Sequence, residues 1–303
     1  MISINTNYGG LFASKAASQS QRTLDTAMER LSSGLRINYA KDDAAGQAIA
    51  TRITAEVEGL KMASRNAADA QGLIDTAEGA LQESHNLLLR MRELAVQSAN
   101  GTMSSDDMAA TDAELGQLIA EVERVAQTTS WAGASLVGGN GTNDGGKSFV
   151  FQVGVNGAAS DRVTIEIDDT RVVALGLVTD DADGGNANAD DNDYTATGAN
   201  ADVRISIASQ GDAQDAISTI DTAIGKVSDA RAELGAVSNR LSSTINNLDQ
   251  ISVNLGASKG RIQDADFAAE TSNLAKNQIL QQAATAMLAQ ANASKNSILT
   301  LVA

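Results

Sequence analysis

The stretch ITAEVEGLKMASRNAADAQGLIDTAEGALQESHNLLLRMRELA, residues 53–95, carries an apolar residue at every seventh position. These positions are Ile53, Leu60, Ala67, Ile74, Leu81, Leu88 and Ala95. A second row borders the later half of the stretch: Leu73, Ala80, Leu87 and Leu94. A seven-residue apolar repeat of this length is typical of a long helix that packs along a partner helix. The stretch therefore predicts one side of a coiled-coil-type bundle.

The same spacing returns near the end of the chain. Its members are Ile220, Val227, Leu234, Leu241, Leu248, Leu255 and Ile262. A fully buried Leu or Ile stabilises a fold by roughly 1.5–3 kcal/mol, so a helix with this stripe is expected to bury it on another helix. We call each of these two seven-residue apolar rows a ladder. We predict that the helices that carry the two ladders pair in a mainly α, long antiparallel coiled-coil-type bundle.

Local signals bound the helices on the N-terminal side. Asp42 or Asp43 is expected to cap the first ladder, which ends where Asn100-Gly101 favours a turn. Ser104 is predicted to cap a further helix, with two aspartates in its first turn. That helix carries its own apolar rows: Met108, Leu115, Val122, Leu118 and Val125.

Between the ladders the period changes from seven to two. Residues 148–155, 161–168 and 201–208 are β-branched and nearly alternating, and the first two are predicted to form a hairpin. The polar segment TDDADGGNANADDNDYTATG, residues 179–198, is expected to be an outward-facing loop.

The two chain ends are shorter amphipathic patterns. Residues 277–303 contain one charged side chain, Lys295. Such an end is expected to need a covering partner, so we predict that both ends are disordered in the free monomer and fold when copies assemble. The patterned positions are Leu24, Met28, Leu31 and Leu35 near the start, and Phe267, Leu274 and Leu288 near the end, where Gln281 interrupts the row.

Composition and charge exclude several classes of protein. Without cysteine there is no disulfide framework, and the first residues lack the basic and apolar regions of a cleavable signal peptide. Residues 66–140 carry 3 basic and 11 acidic side chains and residues 141–210 carry 4 and 12, which accounts for the net charge of −16. An acidic middle repels nucleic acid, and ends near neutrality favour self-association.

Signals of chemistry are weak. Residues 141–148 match the phosphate-loop pattern GxxxxGK[ST], but the residues that follow predict a strand where phosphate binding requires a helix. The acidic loop lacks the spacing of an EF-hand, and the chain has one histidine, His85. We predict no catalytic residues, no metal and no cofactor, and hence no enzyme. The loop aspartates in question are Asp181, Asp183, Asp190, Asp191 and Asp193.

Three motifs closely resemble the terminal regions of bacterial flagellins. They are RLSSGLRINYAKDDAAGQAIATRI (30–53), LLRMRELAVQSANGT (88–102) and NQILQQAATAMLAQAN (277–292). The resemblance covers roughly residues 1–130 and 210–303. It implies a subunit of the hollow helical filament used for swimming, built from inner-tube terminal helices (1–40 with 263–303), a rod-like helical domain (41–140 with 209–262) and a short outer region (141–208).

The resemblance also implies residue roles. Terminal helices of flagellins pair as a hairpin, and the implied assembly core is Leu24, Met28, Leu31, Leu35, Phe267, Leu274, Ile279, Leu280, Met287, Leu288, Ile298, Leu299 and Leu301. The implied subunit contact, also gripped by Toll-like receptor 5 in many flagellins, is Leu88, Arg90, Arg92, Glu93, Leu94, Gln97 and Glu114. Outer threonines are candidates for glycosylation: Thr179, Thr195 and Thr197.

Further implied properties concern partners and location. The resemblance implies a helical homopolymer that meets the flagellar export apparatus, a chaperone, and the filament cap and hook-junction proteins. It implies an extracellular filament exported without a cleaved signal peptide, with no nucleic-acid or membrane partner. Two alternatives stay open at this point: a hook–filament junction protein and a non-flagellar secreted coiled-coil protein.

Overall fold

Long helices dominate the protein, whose computed structural model describes residues 6–138, 146–179 and 203–302. The helices of this described part are α1 (Tyr8–Ser33), α2 (Ala44–Ser98), α3 (Ser105–Thr128), α4 (Val172–Leu175), α5 (Gln210–Gln263) and α6 (Phe267–Val302). Its strands are β1 (Ser130–Trp131), β2 (Ala134–Ser135), β3 (Lys147–Gln152), β4 (Arg162–Ile167), β5 (Val178–Thr179) and β6 (Val203–Arg204). The predicted class, mainly helical with a small β region, is confirmed.

The chain forms two compact units. One comprises Met1–Glu58 with Ile251–Ala303 and holds both chain ends. The other comprises Gly59–Gln250 and holds the β elements. We call them the terminal unit and the central unit.

One buried cluster in the central unit contains most of the apolar rows of α2 and α5: Ala67, Ile74, Leu81, Leu88 and Ala95, with Ile220, Val227, Leu234 and Leu241. Polar pairs across the two helices show that they run antiparallel. Gln71 Nε2 donates to Ser242 Oγ over 2.7 Å, and Arg92 Nε donates to Asp221 Oδ1 over 2.6 Å. These partners are 171 and 129 positions apart in the chain. The predicted pairing of the two ladders is therefore confirmed.

Helix α3 begins and packs as its sequence predicts. Ser104 Oγ accepts a hydrogen bond from the Asp107 backbone N–H over 3.2 Å, which satisfies one of the free donors at the start of the helix. The apolar face of α3 is buried through Leu115, Ile119 and Val122. A contact of 2.8 Å between the Ser98 and Thr111 hydroxyl oxygens joins α3 to the end of α2.

Strands β3 and β4 form the predicted antiparallel hairpin, with Phe149 opposite Ile165. Val163, Ile165 and Ile167 face the core, and the residues between them face water. Since Lys147 opens β3, a strand stands where a phosphate-binding loop would require a helix. Lys147 Nζ instead donates to the Ser135 carbonyl oxygen over 3.0 Å.

The third predicted strand, residues 201–208, is confirmed in part over its described residues, 203–208. Val203–Arg204 pairs with Val178–Thr179, and the Ile205 N–H donates to the Leu177 carbonyl oxygen over 2.9 Å. The Ile207 backbone N–H donates to Asp112 Oδ1 over 2.8 Å instead of to a neighbouring strand, so the strand pairing ends before it. The predicted polar loop lies, from residue 180 onward, outside the described residues, as do its aspartates, Thr195 and Thr197.

In the terminal unit α1 and α6 lie side by side as the predicted helical hairpin. Arg30 near the end of α1 contacts Glu270 near the start of α6 at 2.9 Å, and Asn7 at the start of α1 donates to Asn292 over 3.2 Å. The helices are therefore antiparallel. Gly34 closes α1 with a φ of +73°, a conformation that glycine adopts at little steric cost.

Of two neighbouring aspartates, Asp43 caps the start of α2 and Asp42 does not. Asp43 is the cap, because its Oδ1 accepts from the Gly46 backbone N–H over 2.9 Å. Asp42 has a different role, since its carboxylate accepts from the backbone N–H groups of Asn38 and Tyr39 in the preceding turn.

Candidate assembly interface

The seam between α1 and α6 buries small and polar side chains. Its buried members on α1 are Gly10, Ala13, Ser20, Leu24 and Ala27. On α6 they are Glu270, Asn277 and Ala284. The predicted core residues Leu31, Leu274 and Leu288 are half-buried on these helices, as is Leu35, which follows α1. Because one large apolar side chain, Leu24, is buried and the other leucines are half-buried, the hydrophobic contribution of this seam is smaller than that of a core built from large apolar side chains.

Three polar contacts lie at different positions along the axes of the two helices. Arg30 pairs with Glu270, Gln281 Nε2 donates to Gln21 Oε1, and Asn7 reaches Asn292. The interruption at Gln281 in the apolar row is thus one half of a cross-helix amide pair. A polar pair within an apolar seam is satisfied at one helix register only, so these contacts specify the alignment of the two helices.

Large apolar side chains of both helices lie exposed outside the buried seam. On α6 they are Phe267, Ile279, Leu280 and Met287, and on α1 they are Tyr8, Leu11, Phe12 and Met28. Phe12 is 77% exposed, although phenylalanine is among the residues most often buried. Exposed apolar patches of this kind mark interaction surfaces. We call these eight side chains the outward apolar face.

Three members of the outward apolar face were missed in the sequence. Tyr8, Leu11 and Phe12 follow the i, i+3, i+4 spacing of one helix face, and that spacing is the signal that could have found them. Ile298, Leu299 and Leu301 belong to α6, and their side chains lie outside the described part of the structure. The side chain of Thr179, in β5, also lies outside it.

An apolar groove of about 550 Å³ opens between the two helices near the chain ends. Phe12 and Ala13 of α1 and Met287 and Ala291 of α6 form much of its wall. The remaining lining residues are Gly9, Ala16, Gln290 and Ser294. The groove adds concave apolar surface to the outward apolar face.

A second predicted patch lies on α2 and α3 in the central unit. Arg90 donates to Glu114 over 2.8 Å and to Glu93 over 3.0 Å. The hydrogen bond to Glu114 is the largest cause that raises the pKa of Arg90, so the guanidinium stays charged. Arg92 pairs with Asp221 at 2.6 Å, and Gln97 is exposed.

Leu88 and Leu94 do not belong to the exposed part of this patch. Their exposed fractions are 0% and 2%, because both side chains pack into the core of the central unit. Leu94 lies four residues after Arg90, yet α2 is covered on the side that Leu94 occupies. Leu89 and Val96, seven residues apart, are the exposed apolar neighbours that the sequence reading missed.

Among the described residues, no group of three or more His, Cys, Asp or Glu side chains could hold a metal ion. Within the same part of the chain, no helix has the length and hydropathy that crossing a bilayer requires.

The exposed apolar side chains of the paired ends are typical of one class of protein, a subunit that packs on other chains. The family model described as the bacterial flagellin N-terminal helical region matches residues 4–142, and the one described as the C-terminal helical region matches residues 217–302. The flagellin of Bacillus subtilis (strain 168) is 41% identical over 309 residues, covering 99% of each chain. The flagellar filament 33 kDa core protein of Treponema phagedenis is 37% identical over 304 residues, also covering 99% of each.

This chain therefore belongs to the bacterial flagellin family, as its motifs predict. It is a structural subunit of the flagellar filament, the polymer that serves swimming motility. A solved structure assigned as a flagellar hook-associated protein of Vibrio parahaemolyticus matches with a TM-score of 0.55, covering 74% of this chain and all of that one. At 15% identity this likeness shows the fold alone and does not favour the junction-protein alternative.

Proposed function

We propose that the outward apolar face of α1 and α6 is the surface through which copies of this chain pack to form the inner tube of the filament. The observation that carries the proposal is the exposure of Phe12, Ile279 and Met287 on paired helices whose seam buries mainly small and polar side chains. Covering such side chains with identical copies removes apolar area from water, which favours association. Lys295 is the single charged side chain of residues 277–303, so charge repulsion between stacked copies is small there.

With the chain ends assigned to the inner tube, each remaining segment of the chain is assigned to a part of the filament. Residues 1–40 with 263–303 form the inner tube, residues 41–140 with 209–262 form the rod, and residues 141–208 face outward. The buried stripes of α2 and α5 support a stiff rod, since each covers the other over many turns. The β3–β4 hairpin lies at the junction between stacked subunits.

The chain ends fold as copies assemble and are disordered in the free monomer. Support comes from the seam, which is held by a few polar contacts and buries small side chains. Such contacts alone offset little of the conformational entropy that ordering two helices costs. The role is mechanical, and no catalytic step is assigned to the protein.

Removal of Asn277–Ala303 is expected to abolish filament growth. The deletion takes away Ile279, Leu280 and Met287 and leaves Phe12 of α1 without its neighbouring helix. The measurement is sedimentation of seeded reactions with negative-stain microscopy, full-length protein against the shortened chain. The free monomers are also compared by hydrogen exchange, where weak protection of residues 6–33 is expected.

The central unit supplies the control for this deletion. Trp131, the one tryptophan of the chain, packs in the central unit close to Gly72, so its fluorescence reports whether that unit is folded. Equal urea midpoints for both proteins exclude general misfolding. Filaments of normal length from the shortened chain would contradict the assigned inner tube.

Export and assembly partners complete the proposed function. The subunit is exported without a cleaved signal peptide, guided by a chaperone and the flagellar export apparatus, and added beneath a filament cap on a hook-junction base. Its site of action is the extracellular filament. An unfolded export state suits a chain without cysteine, because no disulfide can form before passage.

A second candidate function belongs to the patch on α2 and α3. We propose that Arg90, Glu93 and Glu114, with Arg92 and Gln97 beside them, form a subunit contact in the filament that Toll-like receptor 5 engages on the free monomer. The favouring observation is a charge cluster fixed by hydrogen bonds yet half exposed to solvent. Arginine presents several donors in a rigid fork and is common at the centre of interfaces.

The substitution Arg90→Ala is expected to reduce the response of receptor reporter cells to monomer by about tenfold or more, as loss of a central arginine does at other interfaces. Folding of the monomer should be unchanged, since surface ion pairs add little stability. Arg124→Ala is the matched control, because Arg124 is also an exposed arginine paired with a glutamate three residues away. Equal responses of both variants and the unaltered protein would overturn the receptor proposal.

A further inference from the structure

Methionine side chains occupy the outward apolar face at two places. Met28 on α1 is 54% exposed and Met287 on α6 is 56% exposed. Met62, on α2, is exposed to a similar degree and lies in the central unit. Met91, in contrast, is 0% exposed in the core of that unit. The chain thus contains exposed thioethers inside and outside the proposed interface, and a buried one.

The surroundings of Met287 are apolar. It lines the groove with Phe12, Ala13 and Ala291. Of the polar lining residues, Ser294 already donates its hydroxyl to the Ala291 carbonyl oxygen over 3.0 Å, and Gln290 is exposed to water. An unbranched thioether fills such irregular apolar space well. A polar oxygen added to Met287 would find no buried hydrogen-bond donor among these lining residues.

We propose that Met28 and Met287 are oxidation sites through which peroxide blocks assembly of the free subunit. The inference rests on the proposed function, because it requires the outward apolar face to be covered by other copies. The chemistry is a two-electron oxidation by hydrogen peroxide. The sulfur lone pair attacks one peroxide oxygen, the S–O bond forms as the O–O bond breaks, and the second oxygen leaves as water after proton transfer.

The product changes the surface in a defined way. Methionine sulfoxide is polar and accepts hydrogen bonds, so packing it against another copy removes its hydration without replacing it. Methionines already covered in a filament are shielded from peroxide, because oxidation depends on access to the sulfur. The oxidation therefore acts on subunits before incorporation and spares those within the polymer.

The test uses the full-length protein, hydrogen peroxide and peptide mass spectrometry to score each methionine. In monomer, Met28, Met62 and Met287 are expected to be oxidised while Met91 is not. In preformed filaments, oxidation of Met28 and Met287 should be slower. Treated monomer should extend seeds more slowly by on the order of tenfold, which corresponds to about 1.4 kcal/mol.

Variants separate the interface methionines from the rest. The double substitution Met28→Leu and Met287→Leu keeps apolar volume and removes the oxidisable sulfur, so it should assemble normally and resist peroxide. Met62→Leu is the matched control and should stay sensitive. Unchanged seed extension by oxidised protein, or equal sensitivity of the double variant, would overturn the inference. Failure of untreated protein to form filaments would instead overturn the proposed function beneath it.

Discussion

Replacing Leu88 by alanine is expected to lower the free energy of unfolding of the central unit by about 2–5 kcal/mol, the range found when a buried leucine is truncated. Leu88 is fully buried in the cluster that α2, α3 and α5 share. The truncation removes apolar contacts and leaves a cavity that two long packed helices cannot close by moving locally. The effect is therefore expected near the upper part of that range.

Leu89 is the natural control for this substitution. It follows Leu88 on the same helix but is 42% exposed, so Leu89→Ala should change the free energy of unfolding by about 0.5 kcal/mol or less. Urea denaturation followed by Trp131 fluorescence measures both variants, since Trp131 is the only tryptophan. Equal destabilisation by the two substitutions would show that the buried stripe does not carry the stability of the unit.

Replacing Asp112 by asparagine is expected to lower the free energy of unfolding at neutral pH by about 1.5–3 kcal/mol, as for hydrogen bonds to a charged group. Asp112, on α3, holds residues 204–207 against that helix through hydrogen bonds. Its carboxylate accepts from the Arg204 guanidinium at 2.5 Å, from Ser206 Oγ at 3.0 Å and from the Ile207 backbone N–H at 2.8 Å. Asparagine loses the ion pair and leaves Arg204 partly buried without its counter-charge.

The contribution of Asp112 depends on pH in a direction fixed by its pKa. Burial of the carboxyl opposes ionisation, but hydrogen bonds from Arg204, Ile207 and Ser206 outweigh it, so the pKa of Asp112 lies below 3.8. A lowered folded-state pKa gives stability that is present above the unfolded pKa and is lost as pH falls through the folded one. The difference between wild type and Asp112→Asn should therefore shrink as pH falls below 3.8.

Glu121→Gln tests whether any carboxylate on α3 behaves in this way. Glu121 is also paired with an arginine, Arg124 at 2.5 Å, but both side chains are well exposed. Its removal should leave the urea midpoint at neutral pH unchanged, because exposed pairs are screened by solvent. A loss equal to that of Asp112→Asn would mean that charge on α3, and not the anchoring of residues 204–207, is what stabilises the unit.

The two units differ in what holds them together. The central unit is closed by large apolar side chains such as Leu81 and Leu241, whereas the hairpin of α1 and α6 is aligned by Gln21–Gln281 and Arg30–Glu270. A seam of mainly small and polar side chains, with large apolar side chains exposed beside it, suits helices that pack on other copies.

Much of the fold could be predicted because its signals are local or periodic. The seven-residue rows from Ile53 to Ala95 and from Ile220 to Ile262 predict two helices that need each other. Ser104 with Asp106 and Asp107 predicts where α3 begins, since a cap depends on four neighbouring residues. The family resemblance of three motifs then supplied the function that periodicity alone does not define.

The faces of the helices, in contrast, were decided by the tertiary structure. The family resemblance grouped Leu94 with Arg90 in one contact surface, but Leu94 is buried in the core that α2 shares with α3 and α5. Residues 205–208 alternate like a strand, and the Ile205 N–H donates to the Leu177 carbonyl oxygen, but Ile207 donates to Asp112 and Ala208 to Ser206. Gln281 interrupts an apolar row in the sequence, and in the structure it is the hydrogen-bond partner of Gln21.

The sequence by itself determined the helices, their periods and their caps, because these depend on neighbouring residues. Only the tertiary structure decided which side chains are buried and which remain for another copy, because burial depends on segments distant in the chain.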